Sequence, residues 1–146
     1  IRVKIHGKAD RIDRVGGVVR IIDYKTGRVD AKDLKTDSLS GLSDKEEPAK
    51  LLQVLAYALM YSDMQAEPPG QLISGIVSLR KSSEYLLKTD IGKSNIIDKA
   101  MLEAFREELR IIISNIFDVS VPFDQTNDRE TCKLCAFGAI CNRTVN

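Results

Sequence analysis

Val18-Val19-Arg20-Ile21-Ile22-Asp23-Tyr24-Lys25-Thr26-Gly27 is the stretch whose reading decides the fold. Its first five residues are nearly continuously apolar, which predicts a strand lying centrally in a sheet. In a strand, side chains two apart share a face, so Asp23 and Lys25 point the same way. Tyr24 faces the other way and leaves its backbone carbonyl near the pair. Thr26-Gly27 then releases the chain into a turn. A carboxylate and an ammonium side by side at a strand end suit metal-assisted hydrolysis. The carboxylate holds a hard cation, and the lysine orients or helps deprotonate a water. Asp and Lys two apart also occur as solvated pairs of little energetic worth, so the neighbouring sequence has to decide.

Upstream, Gly16-Gly17 signals a two-residue hairpin. Residues 1–15 are read as the strand it joins, with Ile1, Val3 and Ile5 alternating with Arg2, Lys4 and His6. Gly7 marks a bulge or the close approach of another backbone, and the alternation loses phase between Ala9 and Ile12. The hairpin returns Asp10 or Asp13 beside Asp23, and register decides which. The chain begins inside this strand and without Met, which predicts a domain truncated at its N-terminal side, with partners in the fold or site lying upstream in a longer polypeptide.

Downstream, residues 29–46 are polar and lack periodicity, which predicts a long loop. Pro48 suits the first turn of a helix, with Ser43 or Asp44 as caps and Glu46-Glu47 near the positive end of the dipole. Leu51, Leu52, Leu55, Leu59 and Ser62 follow at helical spacing. Gln53 and Tyr57 are adjacent along one flank, either as a boundary polar pair or as part of a site. Pro68-Pro69-Gly70 ends that helix region. Residues 71–80 read as a third strand, 84–89 as a fourth, and 96–117 as an amphipathic helix. Its core stripe is Leu102, Phe105, Leu109, Ile112, Ile113 and Ile116. Hairpin, helix, two strands and helix predict an α/β (α+β) fold, a mixed sheet flanked by helices.

At 146 residues the chain is read as one domain, 1–146, closed by a cysteine-containing tail, 128–146. The net charge of +1 announces no polyanion partner, yet residues 1–28 carry eight Lys/Arg against three Asp. That local excess fits a phosphate-bearing substrate with metal among the acids, or else a solvated strand face. No apolar run reaches membrane-spanning length and no secretory signal is visible. The three cysteines, Cys132, Cys135 and Cys141, form C-x2-C-x5-C near the end of the chain. An odd count without a signal predicts a reducing, cytoplasmic setting. It favours metal or cluster ligation over disulfides, with three free thiols as the plain alternative. There is no Gly-rich loop followed by Lys-Ser/Thr, so no ATPase site is read here.

Three motifs now stand in order: Gly7-Lys8-Ala9-Asp10-Arg11-Ile12-Asp13, then Ile21-Ile22-Asp23-Tyr24-Lys25-Thr26-Gly27, then Gln53-x-x-x-Tyr57. Together they resemble the PD-(D/E)XK nuclease superfamily, and within it the RecB- and AddB-like nuclease domains. The resemblance is close over about residues 3–60 and returns over 128–143. It implies a restriction-endonuclease-like core and a deoxyribonuclease of exonuclease type, dependent on Mg²⁺ or Mn²⁺. It also implies DNA as substrate, work in recombination or repair, and a helicase domain or subunit as partner. Carried over by position, Asp10 and Asp23 match the metal-binding carboxylates and Lys25 the catalytic lysine. Gln53 and Tyr57 match the motif that lines the site, and the Tyr24 carbonyl offers a further hard oxygen ligand. Asp13 is the alternative second ligand by proximity, and is expected instead to hold Arg11, Arg14 or backbone. The lone His6 does not match the histidine that RecB-like members carry on an upstream helix, so that role is not transferred. Cys132, Cys135 and Cys141 match three ligands of a [4Fe–4S] cluster whose fourth ligand lies upstream of the nuclease core. The alternative is a catalytically inactive DNA-binding or scaffold module on the same fold, against which the intact Asp10, Asp23 and Lys25 speak.

Overall fold

The computed structural model describes residues 2–42, 49–66, 70–80, 85–122, 124–127, 129–133 and 135–143. In chain order the elements are β1 (Arg11–Val15), β2 (Val18–Lys25), a short 3-10 helix (Ala31–Leu34), β3 (Lys35–Thr36) and α1 (Ala49–Asp63). They continue with β4 (Gln71–Ser78), β5 (Leu87–Lys88), β6 (Asp90–Ile91), α2 (Lys99–Phe117) and α3 (Arg129–Lys133). The polypeptide divides into two compact units, Ile1–Ile113 and Ser114–Asn146.

The hairpin forms where the sequence places it. Gly16 and Gly17 have φ of 58° and 83°, the doubly left-handed geometry that a two-residue turn needs and that side chains resist. This turn sets the register of β1 on β2, from Val15↔Val18 to Arg11↔Ile22. The second edge of β2 pairs in parallel with β4, Val18↔Gln71 through Lys25↔Ser78, and β5 joins β4 antiparallel. The sheet is therefore mixed, in the order β1-β2-β4-β5, with β2 internal. A parallel neighbour requires a crossover, and the β2-to-β4 connection contains α1.

Alternation along β2 and β4 sends Val19, Ile21 and Leu72 into one core with Leu51, Leu55, Ala58 and Leu59 of α1 and Leu102 and Phe105 of α2. Each such leucine gains about 1.5–3 kcal/mol from full burial. Val54 of α1 packs with Val29, Leu34, Ile76 and Leu87 in a second cluster. Asp23 and Lys25 continue the same face of β2, beyond the apolar part, and so emerge where α1 begins to expose polar groups.

Several expectations are corrected. The first strand begins at Arg11, and residues 2–9 take no regular structure. Its partner β2 ends at Lys25, only three residues beyond the Arg11↔Ile22 pair, so residues further upstream have no ladder to join. The segment after 28 is not a free loop. Val29, Leu34, Leu39 and Leu42 are buried, and β3 pairs with β6. The fourth strand shrinks to Leu87–Lys88, because the chain leaves β4 and crosses to β3. The second helix starts at Lys99, and Ile116 is exposed rather than part of a core stripe. The capping roles of Ser43, Asp44, Glu46, Glu47 and Pro48, and the Pro68-Pro69 break, lie outside the described residues.

Candidate active site

Register answers the choice between Asp10 and Asp13. The last β1–β2 pair is Arg11↔Ile22, so Asp10 stands one step further, level with the end of β2. Its Oδ2 accepts the Tyr24 backbone N–H at 2.8 Å, which fixes the exposed Asp10 carboxylate beside the residue that separates Asp23 from Lys25. Asp13 lies opposite Arg20 instead. Arg20 donates to both its oxygens, from Nε at 2.6 Å and from a terminal nitrogen at 2.8 Å, and Arg11 pairs with it at 2.6 Å. The Arg20 hydrogen bond holds the Asp13 carboxyl below the usual aspartate range; burial opposes it, and the Arg11 charge adds a smaller lowering. The expected Arg11 partner is present. Arg20 was not foreseen, although any hairpin register pairing positions 13 and 20 would have revealed it.

Asp23 is 4% exposed, and its Oδ2 is buried without a hydrogen-bond donor among the described residues. Lys25 Nζ lies 2.8 Å from that oxygen. The approach is an ion pair off the geometry of a hydrogen bond, so the charge is balanced while a lone pair stays open. Lys25 Nζ also donates to Gln53 Oε1 at 2.8 Å, and Gln53 Nε2 donates to Tyr57 Oη at 2.9 Å. An ammonium cannot accept, so the orientation of the Gln53 amide is dictated by chemistry. Tyr57 Oη accepts from Gln53 and keeps its own proton to donate.

Gly7 completes this frame. A Cβ there would lie 2.8 Å from Tyr57 Cε1 and 3.1 Å from Met60 Cε. The close approach expected at Gly7 thus occurs, though to the α1 side chains rather than to a backbone. The loose segment 2–9 runs over α1 and packs against the ring whose hydroxyl ends the Lys25–Gln53–Tyr57 chain.

The donor set fits a hard cation. Two carboxylates and a neighbouring carbonyl are oxygen ligands, and a buried carboxylate oxygen without a donor is what such an ion would satisfy. Among the described residues no three His, Cys, Asp or Glu side chains gather in one place, so protein ligation here would rest on Asp10, Asp23 and backbone oxygen. His6 is exposed and belongs to no such group.

The comparison with protein families agrees with this geometry: the model of the PD-(D/E)XK nuclease superfamily matches residues 1–142. The chain belongs to the PD-(D/E)XK nuclease superfamily. No curated protein and no solved structure gives a significant match. The mixed sheet with its two longer helices is consistent with the restriction-endonuclease-like core of this superfamily.

The second unit of this superfamily member holds the cysteines. Cys132 is half-buried on α3, Cys135 is exposed and Cys141 is half-buried. The Cys135 N–H donates to the Cys132 carbonyl, and Gln125 Nε2 donates to the Cys141 carbonyl at 3.0 Å. An Arg143 guanidinium nitrogen lies 3.5 Å from Cys132 Sγ. No helix among the described residues is long and apolar enough to cross a membrane.

Proposed function

We propose that this chain is a divalent-metal-dependent deoxyribonuclease domain with Asp10, Asp23, Lys25, Gln53 and Tyr57 as its working residues. Membership of a nuclease superfamily supports phosphodiester hydrolysis. The observation that carries the assignment to these residues is the buried Asp23 Oδ2, held without a hydrogen-bond donor 2.8 Å from Lys25 Nζ. Retaining a buried, incompletely satisfied carboxylate costs about 1–3 kcal/mol. Such a cost is ordinarily tolerated at sites that bind something.

Asp10, Asp23 and the Tyr24 carbonyl would hold the cation, Mg²⁺ or Mn²⁺. When bound, it supplies charge to the phosphate oxygens and acidifies a water. Lys25 carries the rest of the chemistry. Gln53 takes one N–H of its ammonium and Asp23 balances its charge, which leaves N–H groups to orient the attacking water or a phosphate oxygen. Gln53 keeps that nitrogen from swinging into solvent, and Tyr57 keeps Gln53 in register. Tyr24 N–H holds the Asp10 carboxylate toward the same strand end.

The finer reading is an exonuclease acting in recombination or repair, with a helicase domain or subunit as partner and Cys132, Cys135 and Cys141 contributing to a [4Fe–4S] cluster. It rests on the resemblance of the three motifs and the C-x2-C-x5-C tail. The test is cleavage of linear and circular, single- and double-stranded DNA with Mg²⁺ or Mn²⁺, beside Asp23→Ala and Lys25→Ala. Metal-dependent cleavage lost in both variants, and requiring a free end, is the expected result. A folded protein that neither cleaves nor binds Mn²⁺ would return the reading to an inactive DNA-binding module.

A further inference from the structure

A groove of about 570 Å³ opens on the other face of the sheet from Asp23 and Lys25, lined by Val15, Val18, Arg20, Ile73, Lys88 and Lys93 together with the turn residues after Lys93. Its floor is apolar, and its rim is basic. Val15 is 55% exposed and Ile96, at the groove edge, 37% exposed. Lys88 opposes Gly75 in the ladder and therefore points to this face. Asp90, two residues after Lys88, pairs with Lys35, and among the described residues neither Lys88 nor Lys93 forms an ion pair with a carboxylate. Tyr85, 63% exposed, stands three residues before Lys88 in the chain.

Lys93 breaks a local rule. Ile91 and Ser94 exchange both backbone hydrogen bonds, at 2.9 and 3.0 Å, around Gly92 and Lys93. The two turn residues have φ of 56° and 70°. This is a tight turn that favours Gly or Asn at both places, and a lysine there is strained. A strained residue at the mouth of a groove invites a role for its side chain.

We propose that this groove binds single-stranded nucleic acid, with the phosphates along Lys88 and Lys93 and the bases turned onto the apolar floor and Tyr85; Arg20, held by both oxygens of Asp13, shapes the wall between them. The proposal rests on the nuclease reading for its choice of polymer. A duplex presents phosphates outward and hides its base faces, so exposed Val15, Ile96 and Tyr85 would have no partner in it. A single strand offers both a charged backbone and stackable bases.

The test is fluorescence anisotropy in EDTA with labelled oligo-dT of about 20 nucleotides and a duplex of equal length, on wild type, Lys88→Ala and Lys93→Gly. EDTA removes any contribution of the Asp23 site, so the groove and the nuclease reading fail separately. Wild type is expected to prefer the single strand. Each variant is expected to bind it about fivefold more weakly, with the salt slope reduced by about 0.7 for each lost phosphate contact. Lys93→Gly also relieves the turn, so its Tm is expected to rise by about 2–4 °C while binding falls. A role for Lys93 in folding alone would move Tm and leave binding untouched. Unchanged single-strand binding in both variants, absence of binding by wild type, or equal affinity for the duplex would each overturn the proposal.

Discussion

Replacing Asp23 by Asn separates a metal-binding carboxylate from a structural one. In chelator, two opposing effects act on the folded protein. The variant no longer buries a charge without a donor among the described residues, but the amide is still a buried, incompletely satisfied polar group, so the relief is about 1 kcal/mol. It also loses the ion pair to Lys25, whose side chain is 32% exposed and also held by Gln53. A pair screened to that extent is worth about 0–1 kcal/mol. The variant should therefore be as stable as wild type or more stable by about 1 kcal/mol, a Tm rise of roughly 0–4 °C for a domain of this size. With cation the order reverses. A ligand at a hundred times its Kd stabilises the native state by about 2.7 kcal/mol, or roughly 5–10 °C. With one of two carboxylates neutralised, the shift at the same Mn²⁺ concentration should fall below about 2 °C. Differential scanning fluorimetry with EDTA and with graded Mn²⁺ reads both effects without any assay of cleavage. An Asn variant that keeps the full Mn²⁺ shift would refute the assignment of Asp23 as a ligand. A variant that loses more than about 8 °C in EDTA would show the carboxylate to be a structural strut.

Gln53→Leu keeps the helix but removes the acceptor at 2.8 Å from Lys25 Nζ. With solvent screening, that charge-assisted bond is worth about 1–2 kcal/mol, so Tm should fall by roughly 2–8 °C, and release of Lys25 should lower kcat about 5–30-fold at nearly unchanged KM, as measured by calorimetry and steady-state cleavage. Gly7→Ala drives a methyl into Tyr57; overpacking of this kind costs about 1–3 kcal/mol, to be read as a lower urea midpoint at unchanged m-value. Glu108→Leu leaves the N–H groups of Gly41 and Leu42, now 3.2 and 3.3 Å from its carboxylate, without that acceptor. A loss of about 1–3 kcal/mol is expected in the same denaturation assay. Because Arg20 and Arg11 lower the folded pKa of Asp13, its contribution is present above the unfolded aspartate value of about 4 and is lost as pH falls below that through the folded pKa. Asp13→Asn should flatten this part of the stability profile between pH 5 and 2, and unchanged acid sensitivity would refute the linkage.

How much of this site was legible follows from which interactions are local. The turn at Gly16-Gly17 fixes register, register puts Asp10 rather than Asp13 at the end of β2, and the helical repeat puts Gln53 beside Tyr57. These steps depend on short-range geometry; the turn and the Gln53–Tyr57 adjacency are legible in the chain alone, whereas the residues leave Asp10 and Asp13 open and only the resemblance of the motifs favours Asp10. The link from Gln53 to Lys25 is not local. It spans two elements, and from residues alone it was available only through the resemblance of the motifs. The same distinction explains the misreadings. Alternation in Ile1-Arg2-Val3-Lys4-Ile5 has the period of a strand, but Val3 and Ile5 instead line a groove with Ala56, Leu59 and Met60 of α1. A period of two records which side chains meet an apolar surface, and that surface need not be a neighbouring strand's. The segment 29–42 looks polar because its few apolar residues are irregularly spaced; Val29 and Leu34 are nonetheless buried in one cluster, Leu39 and Leu42 in the other.

Glu108 shows what a better reading would have used. It lies three residues beyond Phe105, on the apolar stripe of α2, where a solvated glutamate would not be placed. A buried carboxylate must find donors, and the backbone N–H groups of an irregular segment are the cheapest ones a fold can offer. Gly41 and Leu42 supply them. Asp23 is buried to a similar degree, yet among the described residues no such donor reaches its Oδ2, although backbone N–H groups lie close enough for Asp10 to take one. Two buried acids in one small domain are thus treated in opposite ways. One is satisfied by the chain itself and serves the fold; the other is left open beside a lysine at a strand end. That difference, more than burial or charge alone, supports the proposal that Asp23 is a ligand-binding carboxylate.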